Sequence, residues 1–209
     1  MPNKKMKTEI LTPDQLDLAA QLLRAHQLVA FPTDTVYGLG TLAFDGETVA
    51  KLYAAKDRPI EKAIPILIGD ITQLNQLVIE VPDIARKLIE HFWPGALTIV
   101  LKKRPAIPIE VSATESVAVR MPDLDLTRDL IRLTGPLAVT SANRSAGPNP
   151  QTAQEVLDQL DGRINAILDG GPTPGGIPST VIDCTQSPPI VLREGLIRAR
   201  VMDFIHKSL

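Results

Sequence analysis

The sequence has one cysteine, Cys184, and few aromatic residues. Phe, Trp and Tyr make up 3% of the 209 residues, so any buried core must be mainly aliphatic. A single cysteine excludes a disulfide within the chain and a thiolate metal site, and it fits a reducing cytosol. No apolar run approaches the roughly 18 residues that a membrane span needs. Because no apolar stretch follows the lysines at the N-terminus, no signal peptide is indicated. We therefore expect a soluble cytoplasmic protein.

An excess of charge of one sign is also missing, since 22 Lys and Arg residues stand against 24 Asp and Glu residues. This balance argues against a uniformly basic nucleic-acid binder, although it is compatible with a local basic patch. The sequence has no Walker A loop, no GxSxG motif and no third glycine after Gly38 and Gly40 to complete a dinucleotide fingerprint. The three histidines lie far apart, which argues against a histidine triad or zinc site.

Strand and helix patterns alternate along the chain. Apolar β-prone runs predict strands at 28–31, 64–68, 97–101, 117–119, 137–140, 166–168, 180–182 and 190–192. Helices are predicted from Thr12-Pro13 onward and at 48–56, 71–77, 82–92, 126–133 and 152–160. This interleaving predicts an α/β protein with a mostly open, twisted sheet. The length suits one large domain over residues 1–209.

The most informative stretch is FPTDTVYGLG at residues 31–40. It follows a predicted strand and places two threonines, an aspartate and a tyrosine within five positions. Gly38 and Gly40 are interpreted as closing this stretch as a loop. Polar groups at this density need hydrogen-bond partners, and the mouth of a cleft at the end of a strand supplies them. The alternative is a proline-led turn whose threonines cap the backbone.

The pattern of a strand or helix end followed by a hydroxyl, amide or cation recurs along the chain. For each of these side chains alone, a surface cation or a turn-capping serine is the competing interpretation. Together they predict a cleft that suits a ligand with phosphates and a small zwitterion, with no obvious side-chain nucleophile. The chemistry would then consist of holding two substrates together and neutralising charge. The candidate residues are Thr33, Thr35, Lys56, Arg58, Ser116, Arg120, Ser141, Asn143, Ser179 and Arg193.

Seven motifs, in this order, resemble those of the YrdC-type family of L-threonylcarbamoyladenylate synthases. They are PTDTVYGLG, KDRP, WPGALT, SVAVRMP, TSANRSAGPNP, PSTVID and VLREG, and they span positions 32–195. The resemblance implies an open, twisted, mixed sheet flanked by helices around a large concave cavity. It also implies a nucleotidyltransferase that joins L-threonine, bicarbonate and ATP into threonylcarbamoyl-AMP and pyrophosphate. That product serves the threonylcarbamoyladenosine modification of tRNA.

The resemblance assigns roles motif by motif. Thr33, Arg120, Ser141 and Ser179 would line the threonine side. Lys56, Arg58, Ser116, Asn143 and Arg193 would face ATP, and Lys56 and Arg58 would carry the catalytic stabilisation of the departing pyrophosphate. Mg²⁺ would accompany ATP, held mainly by phosphate oxygens. The resemblance further implies the short, single-domain form and hand-over of the product to the machinery that transfers the threonylcarbamoyl group to tRNA.

Two other functions stay open. One is a non-catalytic module that binds RNA, including double-stranded RNA or tRNA, which the low aromatic content and the absence of excess positive charge disfavour. The other is a sister-branch enzyme with a different acceptor, because an Arg-Glu-Gly ending such as Arg193–Gly195 also occurs in that branch.

Two structural expectations accompany this assignment. Pro59 is expected to turn Lys56 and Arg58 out of the preceding helix as exposed cations that add little to stability. The loop Gly170–Gly176 has four glycines and two prolines in seven residues. We expect it to be mobile over an empty cleft and to become ordered over substrate.

Overall fold

Ten strands in the described part of the chain form one open, mixed sheet. The computed structural model describes residues 7–59, 63–174 and 176–208. The strands are β1 (Glu9–Leu11), β2 (Val29–Phe31), β3 (Gly38–Leu42), β4 (Ile66–Leu67), β5 (Leu97–Lys102), β6 (Ser116–Arg120), β7 (Leu137–Ser141), β8 (Ala166–Leu168), β9 (Thr180–Asp183) and β10 (Ile190–Arg193). Their order in the sheet is β1-β8-β2-β3-β7-β4-β6-β5-β9-β10. Four neighbouring pairs are parallel: β1/β8, β2/β8, β4/β6 and β5/β9. The α/β class and the mixed sheet are therefore confirmed.

Helices cover the sheet, and apolar residues on both faces of the central strands explain why. The helices are α1 (Leu16–Arg24), α2 (Gly46–Lys56), α3 (Asp83–Phe92), α4 (Asp125–Thr134), α5 (Ala153–Leu160) and α6 (Arg198–Ser208). In β2, Val29 and Phe31 join one core cluster while Ala30 joins the other. Because successive side chains of a strand point to opposite faces, such a continuous apolar run needs cover on both sides.

Local sequence explains where several helices begin. The Thr12-Pro13 turn leads through a short 3₁₀ segment, Pro13–Gln15, into α1. Thr152 caps α5, since its side chain accepts a hydrogen bond from the Glu155 backbone N–H at 3.2 Å. The start of α5 thus matches the prediction that threonine provides the N-cap, whereas Thr12 precedes the 3₁₀ segment and the N-cap residue of α1 itself is Gln15. The predicted helix at 71–77 is instead the 3₁₀ segment Ile71–Gln76.

Three elements, β1, β3 and α6, were not predicted from the sequence. The position of β3 also corrects the interpretation of Gly38 and Gly40. Gly38 and Gly40 do not close a loop; they lie in β3, paired with both β2 and β7. A Cβ on Gly40 would lie 2.8 Å from Phe31 Cε1 and 3.2 Å from Val139 Cγ2. Glycine is required here because the Phe31 ring, which is fully buried, crosses the strand at this point.

Cys184, the single cysteine of the sequence, is buried and free. Among the described residues, no helix combines the length and apolar character needed to cross a membrane.

Gly195 lies so close to the start of β9 that there is no space for a side chain. A Cβ on Gly195 would lie 2.3 Å from the Ser179 carbonyl carbon and from the Thr180 nitrogen, both of which are backbone atoms. Since backbone cannot rotate away, we expect Gly195→Ala to lower the free energy of unfolding by about 1–3 kcal/mol. Urea unfolding measures the change.

Gly46→Ala is the matched control. There the added Cβ would meet the carboxylate of Glu110, the end of a flexible side chain, and alanine suits the first turn of α2. We expect this variant to stay within about 0.5 kcal/mol of the parent protein. Equal losses in both variants would contradict the packing argument at Gly195.

Candidate active site

A cavity of about 200 Å³ lies where the β2–β3 loop meets β6, β7 and the segments around β9 and β10. Hydroxyl and guanidinium groups dominate its polar lining. Within the described residues, arginines are the only charged side chains that line it. The polar lining residues are Thr33, Thr35, Arg58, Thr98, Arg120, Thr140, Ser141, Asn149, Ser179 and Arg193.

The cavity brings together all four residues that the sequence assigned to threonine, and two that it assigned to ATP. The six are Thr33, Arg58, Arg120, Ser141, Ser179 and Arg193.

Lys56, Ser116 and Asn143 are absent from the cavity lining. Ser116 begins β6, four residues before Arg120, which corresponds to about 13 Å along a strand. Its hydroxyl lies 3.2 Å from Thr114 Oγ1. Ser116 therefore does not line this cavity, and its assignment to ATP stays a prediction.

Arg120 ends β6 and is held by three different acceptors. Nε donates to the Gly95 carbonyl at 2.9 Å and Nη1 donates to Thr35 Oγ1 at 3.1 Å. Nη2 forms an ion pair with Asp34 Oδ1. The side chain of Arg120 is 7% exposed and that of Asp34 13%. Burial lowers the pKa of Arg120, and the adjacent carboxylate of Asp34 opposes that shift.

The two threonine hydroxyls beside Arg120 form a network whose direction can be deduced. Thr33 Oγ1 donates its only proton to the Val36 carbonyl at 2.8 Å. The proton between Thr33 Oγ1 and Thr35 Oγ1, 3.0 Å apart, must then come from Thr35. Thr35 is left as an acceptor, which is the role that Arg120 Nη1 requires. The β2–β3 loop thus fixes the guanidinium before any ligand arrives.

Ser179 and Arg193 form the corresponding unit on the other side of the cavity. Arg193, at the end of β10, donates from Nε to the Ser179 carbonyl at 3.1 Å and from Nη2 to Ser179 Oγ at 3.0 Å. Ser179 Oγ also lies 2.7 Å from Thr98 Oγ1. Because β9 pairs in parallel with β5, which carries Thr98, the sheet itself sets this contact.

Arg193 lies close enough to Arg58 and Arg120 for their charges to act on it. Burial lowers the pKa of Arg193, and the charges of Arg120 and Arg58 lower it further. Burial also lowers the pKa of Arg58, whose Nη2 donates to the Ala63 carbonyl at 3.3 Å. Arginine keeps its proton under such shifts, so the cavity presents concentrated positive charge. Such a cavity can bind anionic groups, and carboxylates and phosphates match the planar guanidinium.

Lys56 occupies a different place from the one expected. It is 1% exposed, and its Nζ donates to the backbone carbonyls of Ser141 and Asn143. Nζ also lies 3.4 Å from Asn143 Oδ1. The expectation of an exposed cation was wrong for Lys56, because the turn after β7 surrounds its ammonium group with oxygen atoms. The left-handed conformation of Asp57, φ 52°, ends α2 directly after Lys56. The hydrogen bonds of Nζ show that the Lys56 side chain points inward.

Asn143 completes this turn. Its Nδ2 donates to the carbonyls of Arg144 and Gly147, both at 2.8 Å, and its Oδ1 accepts from Ser141 Oγ. The polar groups of Asn143 are thus engaged within the Ser141–Gly147 turn. In the structure Lys56 and Asn143 shape the wall that presents Ser141 to the cavity.

The loop Gly170–Gly176 is more firmly attached at its start than its composition suggests. Tyr37 donates its hydroxyl proton to the Gly171 carbonyl at 2.8 Å. The backbone N–H of Thr173 donates to the Gln151 carbonyl at 2.8 Å, and Thr173 is 6% exposed. The expectation of few packing contacts is wrong for residues 170–173. Closure over substrate stays a prediction, and Gly175 lies outside the described residues.

The sequence argument missed Asp34, Thr98, Thr140 and Asn149. Thr98, Thr140 and Asn149 line the cavity, and Asp34 contacts Arg120 from behind. All four lie inside the motifs PTDTVYGLG, WPGALT and TSANRSAGPNP. The motifs themselves were therefore the available signal, although no position of WPGALT and only two positions of each of the other two had been singled out.

The described residues contain no cluster of three or more His, Cys, Asp or Glu side chains placed to hold a metal ion.

Comparison with known proteins places this fold and cavity in a family. Residues 21–195 match the Sua5/YciO/YrdC family model, whose description is "Telomere recombination". The chain is 48% identical over 191 residues to threonylcarbamoyl-AMP synthase of Bacillus subtilis, covering 90% of this chain and 55% of that protein. It is 41% identical over 178 residues to a putative threonylcarbamoyl-AMP synthase of Mycobacterium tuberculosis, covering 85% and 82%.

A solved structure supports the same grouping. Sua5 of Pyrococcus abyssi, complexed with L-threonine, matches with a TM-score of 0.91 and 39% identity, covering 95% of this chain and 61% of that one. The chain belongs to the Sua5/YciO/YrdC family of α/β proteins. It spans about half the length of the threonylcarbamoyl-AMP synthases of Bacillus subtilis and Pyrococcus abyssi.

The buried position of Lys56 leads to a prediction that reverses the expectation from sequence. Lys56→Met keeps the aliphatic stem but leaves the Ser141 and Asn143 carbonyls without their donor. We expect the free energy of unfolding to fall by about 2–4 kcal/mol, from about 1–3 kcal/mol for each buried group left unpaired. Urea unfolding at pH 8 measures this loss. Lys51→Met, at an exposed position of the same helix, is the control and should be nearly neutral.

The same pair of proteins should differ in pH dependence. Burial, and after it the charge of Arg58, lower the pKa of Lys56 from 10.5 to about 7. Between these values the unfolded state binds more protons than the folded state, so the stability contributed by Lys56 rises with pH. The stability gap between the parent protein and Lys56→Met should therefore widen from pH 7 to pH 10. A constant gap would contradict a lowered pKa.

Proposed function

We propose that this chain synthesises L-threonylcarbamoyl-AMP and pyrophosphate from L-threonine, bicarbonate and ATP. The observation that carries the proposal is the convergence of Arg58, Arg120 and Arg193 on one hydroxyl-lined cavity. The names of the Bacillus subtilis and Mycobacterium tuberculosis relatives support it, as does the threonine complex of the Pyrococcus abyssi protein.

The chemistry follows from what the lining contains. In the described residues, no lysine, histidine, cysteine or carboxylate lines the cavity to act as a nucleophile or as a base that activates one of its hydroxyl groups, so we take the substrates to supply the nucleophile. The threonine amine and bicarbonate would form a carbamate with loss of water. A carbamate oxygen would then attack the α-phosphorus of ATP, forming the acyl phosphate bond as pyrophosphate leaves. The protein would align the two substrates and stabilise the developing negative charge.

Each half of the cavity suits one substrate. Arg120, with Thr33, Ser141 and Ser179 nearby, would bind threonine, and its guanidinium matches a carboxylate. Arg58 and Arg193 would face the triphosphate, which would enter as its Mg²⁺ complex with the ion held by phosphate oxygens. Lys56 and Asn143 would contribute by holding the turn that carries Ser141.

The wider biological setting is part of the proposal. One YrdC-like domain would carry the synthesis, since all ten described strands belong to one sheet. The product would pass to enzymes that modify tRNA in the cytoplasm, where ATP, threonine and bicarbonate are available together. Acyl phosphates of this kind hydrolyse readily, which favours rapid use of the product.

A pyrophosphate-release assay tests the proposal directly. Purified protein should release pyrophosphate from ATP only when threonine and bicarbonate are both present. Release that does not depend on threonine would overturn the assignment. Replacing threonine with other amino acids in the same assay identifies a sister-branch enzyme, which would prefer a different acceptor.

Two arginine variants should separate the halves of the cavity. Arg120→Lys keeps a positive charge beside Asp34 but loses the planar fork, so we expect the Michaelis constant for threonine to rise about ten- to hundredfold. Arg58→Gln should instead weaken ATP use and lower the turnover number by on the order of a hundredfold.

Steady-state kinetics with each substrate varied in turn measures both effects. Arg132→Gln, which removes an exposed cation paired with Asp129 on α4, is the control and should leave both constants unchanged. Equal effects of Arg120→Lys on both substrates would argue against the division into halves.

A further inference from the structure

Asp34 contacts the site from behind rather than lining it. It borders a neighbouring cavity of about 330 Å³, together with Pro94, Gly95 and Asp123, on the far side of Arg120. Its carboxylate pairs with Arg120 Nη2, and its side chain is 13% exposed. A ligand in the main cavity would therefore not contact Asp34, and Asp34 would act on it through Arg120.

Asp34 leaves part of the Arg120 guanidinium available. A guanidinium has five N–H groups. Three of them are used, by Gly95, Thr35 and Asp34, which leaves one on Nη1 and one on Nη2. A ligand carboxylate can accept these two without displacing Asp34.

The carboxylate makes the two sides of the cavity electrostatically different. Arg193 is held by the carbonyl and the hydroxyl of Ser179, which carry no net charge. Arg120 is held by an anion, so the Arg120–Asp34 pair is neutral as a unit. Two positive charges, those of Arg58 and Arg193, remain at the other side. An ion pair attracts free anions much less than a lone guanidinium does, but it keeps its directed N–H donors.

We propose that Asp34 is a positioning residue that determines substrate charge specificity. It fixes the Arg120 guanidinium and cancels its net charge, so that this side accepts a zwitterionic amino acid and disfavours small inorganic anions. This inference rests on the proposed function, since it takes threonine as the ligand of Arg120. The difference in charge would direct each substrate to its own side of the cavity, because phosphate groups would otherwise compete with threonine for Arg120.

The test replaces Asp34 with asparagine, which has nearly the same shape but no charge. Threonine binding to the full chain is measured by calorimetry at several concentrations of inorganic phosphate, with ionic strength held constant by sodium chloride. In Asp34→Asn we expect threonine to bind roughly tenfold more weakly, because the guanidinium loses a charged partner that orients it. We expect the inhibition constant of phosphate itself, obtained from how the apparent dissociation constant of threonine rises with phosphate concentration, to fall by roughly threefold or more, because the charge of Arg120 is no longer cancelled.

Two further variants support the comparison. Asp123→Asn removes the same charge from the neighbouring cavity, but Asp123 is 62% exposed and pairs with Arg128 at 3.1 Å. It should leave both constants unchanged, since exposed charges are screened. If Asp34→Asn does not fold, as judged by thermal melting, Asp34→Ser removes the charge with a smaller polar group and should show the same pair of changes.

The opposite directions of the two changes make the result decisive. A merely structural role would weaken threonine and phosphate binding together, and that outcome would overturn the proposal. Unchanged constants, or tighter threonine binding, would overturn it as well. If the parent protein itself fails to bind threonine, the proposed function fails, and this outcome is distinct from failure of the Asp34 variants alone.

Discussion

The confinement of three guanidinium groups in one cavity is the constraint around which the site is built. Arg58, Arg120 and Arg193 line one cavity of about 200 Å³, and burial together with mutual charge lowers the pKa of Arg193. Such an arrangement is stable only if the surrounding backbone and hydroxyl groups supply acceptors in fixed positions. The structure supplies them from the β2–β3 loop and from the start of β9. Because these acceptors belong to the protein itself, the fold orients the guanidinium groups.

The cations of the site divide into two kinds according to what surrounds them. The three arginines have donors that face the cavity, whereas the ammonium group of Lys56 is enclosed by oxygen atoms of the turn after β7. Arginine suits the first role because its charge persists and its donors lie in a plane. The compact ammonium of lysine suits the second role, since three oxygens can surround it. Residues of one motif, Lys56 and Arg58, thus contribute in different ways.

The sequence predicted the elements with strong local patterns and missed those set by distant contacts. Strands such as β5 and β7 are mainly apolar, β-prone runs, so their presence could be predicted directly. The glycines of β3 suggested a loop, because nothing local to them shows that the Phe31 ring needs the space. The burial of Lys56 depends on carbonyls 85 and 87 residues away, beyond the reach of any local pattern. Ser116 shares a strand face with Arg120 by periodicity, but distance along β6 separates it from the cavity.

The pairing of β1 with β8 and of β5 with β9 joins segments that are far apart in sequence. The cavity likewise needs both Thr33 and Arg193, which are 160 positions apart. During translation at about 5–20 residues per second, this interval lasts roughly 10–30 s. Arg58 and Arg120 therefore leave the ribosome well before β9 and β10, while the edge of β5 that β9 will cover stays unpaired. Until β9 and β10 are made, the nascent chain exposes the unpaired edge of β5 beside an incomplete anion site. An unpaired edge can pair with other chains, so molecular chaperones or the ribosome surface would have to keep it from doing so.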